Sequence, residues 1–457
     1  MNHTSSIIKE MNKIDCFLTL LKDCGKKKDV LEGIRAHIEI VTRGLFVKSP
    51  HLATTLIHMY AKCGDFARAE FVLHSLPLHD VVIWNAFITG LVHHAKEVEA
   101  LMCFQCMRFE GISPNVVTFI CVLKACGNHL RMGEKGQQIH TEVVIKGLSE
   151  TDTVLGNALV YMYTGWGLLN EAKQVVETLC IRDTVTWSTL ISGYVKEGHD
   201  NDAITCFQRM QNEGLTPDAI TFTFILGACG CIGALYKGKE IHEVIVYMGL
   251  LGRDAVLGNA LVDMYAKCGD VVHAQKLFDE LPFRSVASWT MLISGYCELE
   301  QGDEAFFLFE RMKLEGISPT LITYVCVLKA CSRTGELNKG KQVHNEISFK
   351  GLLEQENLIL SNALVGMYAT CGAFSEAQKA FDELSLRDVI TWNAFISGYL
   401  QHSKCKQVFD CFEHMQIEGI SPNAVTFICT LKACANIGAI DTGKRIHHEV
   451  MSNGFLA

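Results

Sequence analysis

Four times the chain carries a histidine two residues before a glutamate: His37-Ile38-Glu39, His140-Thr141-Glu142, His344-Asn345-Glu346 and His447-His448-Glu449. Zinc-dependent deaminases use such an H-x-E with a downstream Pro-Cys-x-x-Cys. The histidine and two thiolates hold the metal, and the glutamate moves the protons. None of the seven prolines here precedes a cysteine. The C-x-x-C at Cys103-Phe104-Gln105-Cys106 falls on a predicted helix and in one place only. The motif therefore lacks its other ligands, and no metal site, cofactor or catalytic residue is expected. Walker A loops, G-x-S-x-G elbows and dinucleotide fingerprints are missing from the sequence as well, so an enzyme is the least favoured class.

Composition narrows the field further. The 457 residues are 49% hydrophobic and 20% charged, enough to bury a core and too apolar for wholesale disorder. The formal charge of -9 excludes a globally basic nucleic-acid binder but leaves room for a local basic groove. No run reaches 18 uninterrupted apolar residues, so no transmembrane helix is expected. Residues 1–13 show neither an apolar signal core nor an Arg-rich amphipathic stretch, and read as a leader without clear structure. The 20 cysteines are too sparse for a disulfide scaffold and recur in phase: Cys126, Cys229, Cys331 and Cys434 in one register, Cys63, Cys268 and Cys371 in another. They read as reduced, buried small hydrophobes.

That phase sets the architecture. Trp84, Trp187, Trp289 and Trp392 lie 103, 102 and 103 residues apart in similar text; Trp166 alone is out of phase, standing in place of the second-register cysteine. Each unit of about 100 residues divides into three related pieces. Standard pieces cover 81–115, 184–218, 286–320 and 389–423. Long pieces cover 14–49, 116–152, 219–254, 321–357 and 424–457. Short pieces cover 50–80, 153–183, 255–285 and 358–388. Within 286–320 the apolar residues Leu292, Ile293, Tyr296, Ala305, Phe306, Leu308, Phe309 and Met312 recur at three- and four-residue steps. Gly302 is expected to break the run, and Gly316 with Pro319 to close the second helix. Each piece is thus a helix–turn–helix, unable to bury its apolar face alone. Thirteen stacked hairpins give an all-α, right-handed solenoid of about 26 helices with a concave face. The four repeat tryptophans and the in-register histidines (His37, His140, His242, His344, His447) are expected to pack between pieces.

The text Trp392-Asn393-Ala394-Phe395-Ile396-Ser397-Gly398-Tyr399, with Asn362-Ala363-Leu364-Val365-Gly366-Met367-Tyr368 and Gly340-Lys341-Gln342-Val343-His344, resembles the pentatricopeptide repeat proteins, in the subclass with alternating standard, long and short repeats. The resemblance runs from about Ile14 to Ala457. It implies a sequence-specific binder of single-stranded RNA in a mitochondrion or chloroplast, one base per repeat, with no DNA or membrane partner. It also implies which residues read. One follows the Trp position on the first helix and one ends the repeat: Asn85 with Asn115, Ser188 with Asp218, Thr290 with Thr320, Asn393 with Asn423, and in short repeats Thr54 with Asp80, Asn157 with Asp183, Asn259 with Ser285, Asn362 with Asp388. Val82, Val185, Ala287 and Ile390 would sandwich the bases, and Lys62, Lys196 and Lys267 stand where phosphates would pass. In the family, Asn at the first place favours pyrimidines, Ser or Thr purines, and a terminal Asp shifts the choice to U or G. With the chain parallel to RNA and n at each long repeat, the reading is 5′-n-G-Y-n-U-G-n-Y-R-n-U-Y-n-3′. The subclass resembles site-recognition factors for C-to-U RNA editing. A deaminase-like domain is not visible here, so the deaminase is expected from a partner or from a further C-terminal domain; a transit peptide is likewise expected and not legible. RNA stabilisation, splicing or processing is the alternative within RNA binding. A tetratricopeptide-like protein-binding scaffold is the alternative outside it.

Overall fold

The computed structural model describes residues 2–452 apart from 47–48, 77, 130–131, 149–151, 252–254, 283, 354–356 and 385. Among the described residues there are 26 helices, from Asn2–Lys27 to Ile440–Ser452, and no strand. The protein is an all-α helical-repeat solenoid made of two compact units, residues 1–228 and 229–457. None of these helices is long and apolar enough to cross a membrane.

Within each unit the helices pair as antiparallel hairpins. Val81–His93 returns through Glu97–Phe109, Val116–Asn128 through Gly133–Ile145, and Thr153–Gly165 through Leu169–Thr178. Within a unit, first helices also pack on one another, as Val81–His93 does on Pro50–Cys63 and on Val116–Asn128. The short pieces owe their length to the second helix: 9 residues in Phe66–His74 and Phe374–Asp382 and 10 in Leu169–Thr178 and Val271–Glu280, against 13 in the standard Glu97–Phe109 and the long Gly133–Ile145.

The standard hairpin ends as its Gly–x–x–Pro text dictates. Gly111 takes φ 77°, its N–H donates to Arg108 O, and the N–H of Ile112 donates to Met107 O. This closes the last carbonyls of the helix with a left-handed residue that glycine supplies without steric cost. A second glycine sets the spacing between first helices. A Cβ on Gly398 would lie 2.5 Å from Ala369 Cβ and 2.8 Å from its carbonyl carbon, so only glycine lets those two helices close.

Two expectations are corrected. Residues 2–13 form the start of the first helix, Asn2–Lys27, instead of an unstructured leader. Gly302 does not break a helix; it opens Gly302–Leu314, where a Cβ would strike Thr334 Cγ2 at 2.4 Å. The turn itself is made by Glu300 at φ 60°, with Ala95, Gly198 and Ser403 in the same left-handed conformation elsewhere.

The in-phase residues are structural. Trp84, Trp187, Trp289 and Trp392 are buried. Three donate their indole N–H to a glutamate near the end of the same piece: Trp84 to Glu110 at 3.2 Å, Trp187 to Glu213 at 2.9 Å and Trp392 to Glu418 at 3.3 Å. Trp289 Nε1 is buried without a partner among the described residues, and the equivalent Glu315 is paired with Arg284 and Arg311. The thiols of Cys63, Cys268 and Cys371 reach the carbonyls of Cys24, Cys229 and Cys331, at 3.9, 3.5 and 3.5 Å. Trp166 does the same work with a larger donor: its Nε1 meets Cys126 O at 2.8 Å. The indole fits because a Cβ at Gly136 would lie 2.2 Å from its Cη2.

Candidate nucleic-acid interface

The last residue of each standard and short piece is the N-cap of the next first helix. Asp80, Asn115, Asp183, Asp218, Ser285, Thr320, Asp388 and Asn423 each accept a hydrogen bond from the backbone N–H of the third residue of that helix. Helix starts demand Ser, Thr, Asp or Asn here, whatever else the position does. For Asn115, Asp183, Ser285, Thr320, Asp388 and Asn423 the third residue returns the bond, its hydroxyl accepting from the cap's own N–H.

Capping does not account for the other member of each pair. Asn85, Asn157, Asn259, Asn362 and Asn393 sit five residues into a first helix, where asparagine is a poor helix former. The fold brings them to the caps. Asn85 Nδ2 donates to Asn115 Oδ1 at 3.0 Å, Asn157 to Asp183 at 3.1 Å, Asn362 to Asp388 at 3.2 Å and Asn393 to Asn423 at 3.0 Å. Asn259 Nδ2 reaches Ser285 Oγ at 3.2 Å. The amide oxygens are met by hydroxyls of the following helix: Thr118 with Asn85 at 2.7 Å, Thr186 with Asn157 at 2.6 Å, Thr391 with Asn362 at 2.6 Å and Thr426 with Asn393 at 2.7 Å.

The remaining pairs differ. Thr290 and Thr320 are joined through Thr323, whose hydroxyl lies 2.8 Å from one and 3.0 Å from the other. Ser188 donates back to Val185 O at 3.1 Å, while the Thr221 hydroxyl turns to Asp218 at 2.6 Å. Asp80 caps through Ile83 N–H at 2.8 Å, and Ile83 offers no hydroxyl toward Thr54.

Burial acts to raise the Asp183 and Asp388 carboxyls. The bonds from Thr186 N–H, the Asn157 amide and the Thr186 hydroxyl outweigh it at Asp183, and those from Thr391 and Asn362 at Asp388, so both lie below the usual carboxylate range. At neutral pH they are ionised and can only accept.

Beside each pair stands an exposed aliphatic side chain at the second position of a first helix: Val82 (55% exposed), Val185 (54%), Ile390 (59%) and the smaller Ala287. Between Ile359 and Ile390 a cavity of about 370 Å³ opens, with Asn362 and Asp388 in its wall and Lys329 and Ser332 at its side. An aliphatic face beside an amide and a carboxylate suits a flat heterocycle with a polar edge.

The H-x-E residues are engaged elsewhere. His37, His140 and His344, like the in-register His242, meet the hydroxyls of Tyr60, Tyr163, Tyr368 and Tyr265 through Nδ1 at 2.7–3.0 Å. Glu142 pairs with Arg108 and Lys146, and Glu346 with Lys313 and Lys350. His447 is exposed. Burial pushes the Cys103 thiol of the C-x-x-C up to about 12, away from the thiolate a metal needs.

The sequence profile described as the PPR repeat family matches residues 79–128, 182–231, 284–333 and 387–436, and the PPR repeat profile matches 52–80, 259–286 and 322–352, together more than half of the chain. The chain belongs to the pentatricopeptide repeat family. A mitochondrial pentatricopeptide repeat-containing protein of Arabidopsis thaliana is 33% identical over 91% of this chain and 40% of its own length. A chloroplastic one from the same plant is 32% identical over 96% of this chain and 53% of its own. A further chloroplastic relative is 31% identical over 92% of this chain and 67% of its own. The chain therefore spans roughly half the length of the curated relatives it matches. Among solved structures, the pentatricopeptide repeat protein PPR10 in complex with an 18-nucleotide psaJ RNA element aligns over 98% of this chain and 65% of that chain, at 19% identity and a TM-score of 0.43.

One feature of these pentatricopeptide repeats goes beyond the sequence reading. The exposed aliphatic position is present in the long and short pieces too: Val117, Val154 and Ile220 in the first unit, and Val256, Ile322, Ile359 and Val425 in the second, at 50–71% exposure. Its signal was available, since the position is Val or Ile in each of these helices and its neighbours are the ones that pack. The three candidate lysines close the first helices Pro50–Cys63, Thr184–Lys196 and Ala255–Lys267, where a cation favours the helix dipole. Lys267 is already paired with Asp263 at 2.8 Å.

Proposed function

We propose that this chain binds single-stranded RNA in a sequence-dependent way. The observation that carries the reading is the set of amide and carboxylate pairs. Each Asp or Asn cap uses one side-chain oxygen for the helix, and its second terminal atom takes no part in the cap. In Asn115 and Asn423 that atom is Nδ2, a donor; in Asp183 and Asp388 it is a carboxylate oxygen, an acceptor. The Watson–Crick edges of uracil and guanine carry a ring N–H, whereas the matching ring nitrogen of cytosine is an acceptor. A terminal Asp therefore fits U or G, and a terminal Asn fits C. The exposed valines and isoleucines supply the apolar faces between which an unstacked base would sit.

The finer reading is a member of the subclass with alternating standard, long and short repeats, acting as a site-recognition factor for C-to-U editing. The short pieces are set apart in support of it by second helices of 9 or 10 residues against 13 in the standard and long pieces. The deaminase would come from another chain or a C-terminal domain; no residue here is assigned a catalytic role. The mitochondrial and chloroplastic names of the relatives support an organellar transcript as target. Binding to a randomised RNA pool at several salt concentrations tests the core of this. Log affinity should fall with log salt at about 0.7 per phosphate contacted. Failure to shift any single-stranded RNA at low salt would sink the proposal.

A further inference from the structure

An asparagine amide has two ends of equal size and opposite hydrogen-bond character, so its turn decides what it offers a base. In the Asn85 pair a chain of constraints settles that turn. The backbone N–H of Thr118 donates to Asn115 Oδ1 at 3.1 Å, which makes that oxygen an acceptor. Asn85 must then present Nδ2 to it, at 3.0 Å. Its Oδ1 is thereby directed at the Thr118 hydroxyl, 2.7 Å away. That hydroxyl accepts from Asn115 N–H at 3.2 Å, and its single proton has two acceptors in reach, of which the Asn85 amide oxygen at 2.7 Å is nearer than Asn115 Oδ1 at 3.1 Å. Thr118 belongs to the next hairpin and is 0% exposed, so it cannot touch a base itself. Thr186, Thr391 and Thr426 repeat the arrangement on Asn157, Asn362 and Asn393.

We propose that this buried hydroxyl, three residues into the following helix, is a specificity-determining positioning residue: it holds the amide oxygen of the reading asparagine away from the RNA, so that only Nδ2 is offered to the base. The inference rests on the RNA-reading function proposed above. The chain contains its own contrast. At the Asn259 pair the third residue is Ser288, whose hydroxyl donates to Ser285 O at 2.9 Å, and Asn259 Oδ1 is buried with no partner among the described residues. Serine lacks the γ-methyl that stiffens threonine about χ1, so its hydroxyl can turn to the backbone. An amide held at one end only can rock, and offers donor and acceptor in turn. Discrimination should therefore be sharp at the third, fifth, eleventh and twelfth nucleotides and slack at the eighth.

The test measures dissociation constants of the full chain for RNAs differing at one nucleotide, for Thr118→Val, Ser288→Thr and, as a control on the reading function, Asn85→Ser. Thr118→Val keeps the shape and removes the hydroxyl. It should cut discrimination at the third nucleotide about tenfold and leave the fifth unchanged, an effect of the size expected when one buried polar partner is removed. Ser288→Thr should raise discrimination at the eighth nucleotide several-fold. If Asn85→Ser changes the third-nucleotide preference and folded Thr118→Val does not, the positioning role is refuted while RNA reading stands. If neither moves it, the reading function fails and this inference with it. Should Thr118→Val not fold, the Ser288→Thr result decides: unchanged discrimination at the eighth nucleotide overturns the proposal.

Discussion

Replacing Asp183 by asparagine changes one atom of the interface and little of the fold. Asp183 caps Thr184–Lys196 through Thr186 N–H at 2.8 Å and receives Asn157 Nδ2 at 3.1 Å. Asn115 performs both tasks in the equivalent place, at 3.1 and 3.0 Å, so the variant has a ready precedent in the same chain. Asparagine and aspartate are near-equal N-caps, and losing the charge at a helix start costs only about 0.3–1 kcal/mol. The melting temperature should move by a few degrees at most. Recognition should change far more. The atom available to the base turns from carboxylate oxygen to amide nitrogen, from acceptor to donor. The N3–H of uracil then faces a donor, and the loss is of the order of a mismatched buried hydrogen bond, about 1–3 kcal/mol or roughly 5- to 150-fold. Cytosine, whose N3 accepts, should gain. Equilibrium binding of 13-nucleotide RNAs varied only at the fifth position measures this, and Asn115→Asp should show the reverse at the third. A folded Asp183→Asn protein that still prefers U over C at the fifth position would refute the donor–acceptor reasoning.

Other outcomes follow from the same geometry. Ser188→Asn should move the sixth-nucleotide preference from G toward U, read by selection from a random pool; an unchanged sixth base would show the register to be wrong. Gly398→Ala should destabilise the second unit by about 1–3 kcal/mol, because the added methyl meets the Ala369 backbone, and urea titration would show it. Burial lowers the His140 pKa, so folding excludes the proton that the unfolded chain takes up below about pH 6.5. Stability should thus fall as pH drops through that range, and His140→Gln should flatten the dependence in thermal melts. Alkylation with mass spectrometry should find the thiols free, with buried Cys126 reacting only after unfolding; a bound zinc would overturn the reading of the H-x-E text.

What could be read without the structure follows from what repeats. Tryptophans near every hundredth residue and the Gly–x–x–Pro turns fix helices and their ends, because burial and the left-handed turn each demand particular residues. Gly302 was misjudged because a glycine excluded by a neighbouring helix looks, in sequence, like one that ends its own. Trp166 is legible as a replacement for the cysteine of its register, but its role is not, because what it shares with Cys63, Cys268 and Cys371 is a target, the carbonyl of a preceding piece, and not a side-chain type. Thr118 and its counterparts were passed over for a similar reason. A threonine among valines at a helix start reads as ordinary capping-box chemistry, and only the fold shows that its hydroxyl also reaches an asparagine 33 residues earlier.

The caps also bear on how such a surface can vary. A position that must start a helix tolerates Ser, Thr, Asp and Asn at nearly equal stability. All four occur here, as Ser285, Thr320, Asp183 and Asn115, each holding the same backbone N–H. In Asp183 and Asn115 the atom left over from the cap is a carboxylate oxygen or an amide nitrogen, whereas in Ser285 and Thr320 the capping hydroxyl is itself the side chain's one polar group. A change that alters the hydrogen-bond character presented to a base therefore leaves the helix start intact. The asparagine position is less free, because it is buried and needs both a cap and a hydroxyl as partners. Substitutions there should couple to the third residue of the following helix, whereas an Asp–Asn exchange at the cap, which keeps the accepting oxygen, should leave that network in place. Double-mutant cycles between Asn157 and Thr186 should give a larger interaction energy than cycles between Asp183 and Thr153, which lies in the same piece outside the network.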